Sequence, residues 1–158
     1  MDARVGIFVD YQSRFARGVA EAIWSGLSRA TVASGGGKVS TYWDGLDRRD
    51  VVAIMASKAP PRPRDWQATI FVVGQDIPDT IDALNPFKDE AGDFGLCGLI
   101  VATPEAASPL SGPLLYQGVE CLTESGVKVG NIEPGLLRAY PEECAAYAQR
   151  LLERLGGN

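Results

Sequence analysis

The chain has 158 residues, 46% of them apolar and 22% charged, with 15 Lys+Arg against 20 Asp+Glu for a formal charge of −5. That is the size and composition of one ordinary globular domain, long enough to bury a core without disulfide or metal staples. It contains no histidine. This excludes His-ligated metals, Ser-His and Cys-His nucleophiles and an imidazole base, while the acidic balance argues against nucleic-acid binding through a broad basic face.

The first four residues run straight into Val5–Val9, a continuous apolar run ended by Asp10. Such a run is the pattern of a strand buried on both faces, and the segment lacks the apolar stretch and cleavage site of a signal peptide. Phe15, Val19, Ile23 and Leu27 recur every four residues, with Ala16, Ala20 and Ala30 alongside. That spacing predicts a helix with these side chains on its buried face and Trp24 beside it. Ser34–Gly37 ends the helix, and Lys38–Trp43 alternates as a second strand. A short helix is expected over 50–58, after which Pro60, Pro61 and Pro63 forbid regular structure.

Ala68–Val73 is a further buried strand, followed by a turn over Gly74–Pro78 and a short helix over Asp79–Leu84. Leu96–Ala102 is the next buried run. The loop Thr103–Pro113 then leads into a helix carrying Leu114, Leu115, Val119 and Leu122, with Gly126 as its end. Val127–Ile132 is expected as the last strand. The final helix is expected over Glu142–Leu155, with Ala145, Ala148, Leu151 and Leu152 on one face. The three cysteines, Cys97, Cys121 and Cys144, are scattered with no C-x-x-C pair, which suits buried thiols in a reducing, cytoplasmic setting. No stretch reaches the length of a membrane span.

This alternation implies an α/β domain spanning 1–158: a five-stranded parallel sheet in the order 2-1-3-4-5, with helices on both faces. Ligands of such sheets bind beyond the carboxyl ends of the strands, where the strand order reverses. Here that point lies between strands one and three. The candidate ligand-binding residues are Tyr11, Gln12, Ser13, Arg14 and Arg17 after strand one, Gly74, Gln75 and Asp76 after strand three, and Thr103 and Ser108 after strand four. Ser13 can cap the first helix, whose first-turn amides can hold a phosphate with help from Arg14 and Arg17. The same residues also read as an ordinary cap and solvated arginines.

The stretch Gly6–Ile23, a strand running through Ser13 into a helix that reads Ala-Glu-Ala-Ile, resembles the flavodoxins and their FMN-reductase relatives. The resemblance implies the flavodoxin-like fold, FMN or another phosphorylated small molecule at the strand one/strand three switch point, a phosphate-binding hydroxyl at Ser13, and flavin-dependent reductase chemistry. Two other readings stand beside it. Asp10, Asp44 and Asp76 each follow an expected strand, and three carboxylates there would hold Mg²⁺ or Mn²⁺. Phe8–Ser13 resembles the start of the NYN/PIN-like nucleases, which implies a metal-dependent phosphodiester enzyme. The third reading is a non-catalytic binding or assembly module, with a homo-oligomer as an open possibility.

Overall fold

The computed structural model describes residues 3–10, 13–29, 39–45, 67–74, 96–104, 111–124 and 130–156. The expected helices over 50–58 and 79–84 lie outside them. The elements are β1 (Ala3–Val9), α1 (Arg14–Arg29), β2 (Val39–Gly45), β3 (Ala68–Val73), β4 (Leu96–Ala102), α2 (Ser111–Glu124), β5 (Asn131–Leu137) and α3 (Pro141–Gly156). All the strands pair in parallel, in the order β2-β1-β3-β4-β5. The first connection runs outward from β1 to β2, and the next returns past β1 to β3. The order therefore reverses between β1 and β3.

Every residue of β3, and nearly every one of β4, is buried. One sheet face carries Val5, Ile7, Val9, Ile70, Val72, Ile100 and Ala102, which form the main core with α1 and α3. The alternate residues, among them Phe8, Phe71, Leu99 and Val101, are buried on the other side, where Phe8 and Phe71 stack with ring centroids 6.0 Å apart. Thr69 shares that second side, and its hydroxyl is buried with no hydrogen-bond partner among the described residues. A β-branched side chain suits the strand, but an unsatisfied hydroxyl costs about 1–3 kcal/mol.

The helix over α1 buries Ala16, Val19, Ala20, Ile23 and Leu27. Phe15 departs from the expected apolar stripe. It is 37% exposed, and the Arg14 guanidinium lies 5.0 Å from its ring centroid. Ala16 and Ala20 take the inner face instead, buried in the main core. Trp24 is likewise 46% exposed.

The fifth strand corrects the sequence reading. Strand structure runs over Asn131–Leu137 and so continues past the expected end at Ile132, through Pro134 and Gly135; residues 127–129 lie outside the described set. Proline is tolerated because, among the described strands, β5 pairs only with β4, at the sheet edge. Glycine is required for a different reason. A Cβ on Gly135 would lie 2.8 Å from the Tyr147 ring, and one on Gly98 would lie 2.7 Å from the Tyr147 hydroxyl. The fully buried Tyr147 of α3 therefore lies over two glycines on adjacent strands, and its hydroxyl donates to the Glu133 carbonyl at 2.6 Å. Burial of the ring and its hydroxyl pushes the phenol well above its ordinary range.

Two acid–base contacts fix α3 to β5. Glu133 is ion-paired with Arg154, whose guanidinium also donates to the Ile132 carbonyl at 3.1 Å, and with Arg150 at 3.7 Å. At the start of the helix Pro141 occupies the first turn with Glu142 and Glu143, as a helix N-terminus favours. Glu143 reaches back to accept from the Arg138 N–H at 3.1 Å and from Arg138 Nε at 2.9 Å. That side-chain hydrogen bond, despite some desolvation, holds the Glu143 carboxyl below its ordinary range.

A depressed carboxylate stabilises the fold above its unfolded pKa, about 4.3, and the contribution disappears as pH falls through the folded value. Glu143→Gln is therefore expected to lower the thermal midpoint at neutral pH, with the gap to wild type closing under acid. Melting curves across pH check this, and a gap that stays constant to low pH would contradict it.

Candidate functional site

The site forms where β1 and β3 end. Asp10 N–H donates to the Val72 carbonyl at 2.9 Å, extending the β1/β3 ladder one step past Val9. Ser13 N–H then donates to the Asp10 carbonyl at 3.1 Å, which closes a tight turn from strand to helix. Ser13 is the helix cap: its Oγ accepts from Ala16 N–H at 3.1 Å, and its carbonyl accepts from Arg17 N–H at 3.0 Å. Arg14 and Phe15 supply the remaining first-turn amides.

Gly74 brings β3 against this turn. A Cβ there would lie 3.0 Å from both Cβ and Oγ of Ser13 and 3.5 Å from Oδ2 of Asp10. The structure thus brings Asp10, Ser13 and Gly74 together at the switch point. Arg14 and Arg17 stand exposed on the first turn of α1, with Arg14 folded over Phe15. Thr103 is buried at the end of β4, where its N–H donates to the Leu137 carbonyl at 2.9 Å; β4 is the next strand beyond β3. Tyr11, Gln12, Gln75, Asp76 and Ser108 lie outside the described residues.

The described residues do not support the carboxylate reading, of whose three acids Asp76 lies outside them. Asp44 lies within β2, paired with Phe8, rather than beyond the strand, because pairing with β1 continues through Gly45. Among the described residues no group of three His, Cys, Asp or Glu is placed to hold a metal ion. Cys97 and Cys144 are buried, as their sequence context suggested, and Cys121 is half-buried. Desolvation raises the Cys97 thiol far above its ordinary range and pushes the Cys144 thiol up to about 11, which disfavours the reactive thiolate at both. No described helix is long and apolar enough to cross a membrane.

No protein-family model matches the chain, and no curated protein matches it by sequence. Solved structures do match it along nearly its full length. An NAD(P)H:quinone oxidoreductase from Methanothermobacter marburgensis superposes with a TM-score of 0.52 and 17% identity, over 99% of this chain and 97% of that one. A flavodoxin from Streptococcus pneumonia TIGR4 gives 0.54 and 10%, over 99% of both chains. The fold is flavodoxin-like. A flavodoxin-like domain from Synechococcus agrees, with a TM-score of 0.51 and 14% identity over 97% of this chain and 90% of that one.

At these identities the likeness carries the fold, and the site must be judged on its own atoms. A phosphate at the start of α1 would meet the Ser13 hydroxyl proton, the Arg14 and Phe15 amides, and a positive helix end. It would also meet the Asp10 carboxylate, which shares the Gly74 contact with Ser13. The donor set fits an anionic group, with one like charge opposing it.

Sequence reading did not find the Tyr147, Gly98 and Gly135 contact, nor the Arg138–Glu143 pair. The glycines carried a weak signal, since an isolated Gly inside a strand marks a bulge or a close approach.

Proposed function

We propose that this flavodoxin-like chain binds FMN, or another phosphorylated small molecule, over the carboxyl ends of β1 and β3, and that it works as a flavin-dependent redox protein. One observation carries the reading: Ser13 caps α1 at the point where the strand order reverses, beside Gly74. The bound flavin would supply the electron or hydride chemistry. The chain would supply phosphate donors at Ser13, Arg14 and Phe15, a guanidinium at Arg17, and further contacts from Thr103, Tyr11, Gln12, Gln75, Asp76 and Ser108. Asp10 would oppose the phosphate and keep affinity modest.

Titration with FMN, followed by flavin fluorescence and thermal shift, tests this. Saturable binding is expected to raise the melting temperature. Asp10→Asn is expected to tighten binding roughly tenfold by removing a like charge. Ser13→Ala is expected to weaken binding and to cost about 1 kcal/mol of stability through the lost cap. No shift with excess FMN, in wild type and Asp10→Asn alike, would overturn the proposal.

A further inference from the structure

Helices α1 and α3 pack closely because Gly26 lets α1 approach the Ala145 backbone, where a Cβ would lie 3.2 Å away. Their outer sides leave an open groove of about 520 Å³, lined in part by Glu21, Ala22, Ser25 and Arg29 of α1 and by Ala145 and Gln149 of α3. Glu21, Ser25 and Arg29 are spaced by four, so they share one face of the helix, on the side away from the buried stripe. Among the described residues neither Glu21 nor Arg29 makes an ion pair.

The order acid, small hydroxyl, base is its own complement when reversed. Two copies of α1 laid antiparallel about a two-fold axis at Ser25 place Glu21 of each against Arg29 of the other, at both ends of the contact. Ala22 and Ser25 are small enough for the helices to approach closely at the centre. The same axis carries Arg14 and Arg17 beyond the end of the opposing helix, away from its Arg29. Copies of a chain of net charge −5 repel one another overall, and a face that pairs opposite charges with itself offsets that repulsion.

We infer that the α1/α3 groove is a homodimer interface, with Glu21–Arg29 pairs formed twice across a two-fold axis at Ser25. This goes beyond the ligand site and is independent of it. The test is sedimentation velocity of the full chain over a concentration series at low salt. The expected species approaches twice the 16.9 kDa chain mass and dissociates as salt is added. Glu21→Arg and Arg29→Glu are each expected to weaken association roughly tenfold, since each turns two attractions into two repulsions. The double reversal Glu21→Arg/Arg29→Glu restores the pairing and should restore the dimer.

Ser25→Cys, at the axis, should give a disulfide-linked dimer on mild oxidation, above any level seen for wild type. A chain that stays monomeric throughout overturns the inference. So does a dimer indifferent to the charge reversals, or a Ser25→Cys chain that does not cross-link.

Discussion

Tyr147→Ala is expected to destabilise the protein by about 3–5 kcal/mol, the range for removing a large buried aromatic ring. The side chain is fully buried and lies against Gly98 and Gly135 on two adjacent strands. With no Cβ on either glycine to move into the space, collapse around the void is limited. A loss of that size is a large part of a domain's total stability. Urea unfolding checks it, as a fall in midpoint at unchanged slope. Tyr147→Phe separates the ring from its hydroxyl. It keeps the packing and loses only the hydrogen bond to the Glu133 carbonyl, at a cost of about 1 kcal/mol. If Tyr147→Ala cost no more than Tyr147→Phe, the ring would not be filling this position.

The second large effect is overpacking at the two glycines. Gly98→Ala and Gly135→Ala are each expected to cost about 1–3 kcal/mol, and they should respond differently to Tyr147→Phe. At Gly98 the nearest obstacle to a new Cβ is the Tyr147 hydroxyl at 2.7 Å, with Ile70 Cγ1 next at 3.0 Å. Deleting the hydroxyl removes the worse contact, so Gly98→Ala should cost less in the Tyr147→Phe background. At Gly135 the obstacles are the ring carbons Cδ2 and Cε2, both at 2.8 Å. These remain in phenylalanine, so no relief is expected there. A double-mutant cycle at each glycine reads the difference directly. Equal coupling at the two positions would contradict the geometry.

The candidate site was legible in proportion to its local character. Ser13 before an apolar periodic run is a sequence-level cap signal, and its Oγ bond to Ala16 N–H is that signal realised. Gly74 could be suspected only as part of a turn. Its contact with Ser13 and Asp10 requires β1 and β3 to be neighbours across a long stretch of chain. Asp44 shows how local reading misleads. Alternation ends near Trp43, so the acid looked like the residue after the strand, yet its pairing with Phe8 keeps it inside β2. The expected last strand likewise stopped at Ile132 while β5 runs on to Leu137, because the local preferences of Pro134 and Gly135 give no account of an edge position or of a helix residue overhead.

Taken alone, the sequence determined the class of architecture and the buried strands. Val5–Val9, Ala68–Val73 and Leu96–Ala102 are apolar at nearly every position, the pattern of a strand covered on both faces. It also determined, by the absence of histidine, that no imidazole of this chain can act as a base or metal ligand. Only the tertiary structure decided which glycines make room for Tyr147, that Phe15 turns outward beneath Arg14, and that Asp10 and Ser13 meet Gly74 at the switch point. The reason is physical. Hydrophobic period and capping act within a few residues, whereas these contacts join segments distant in the chain, and nothing local in either segment encodes its partner.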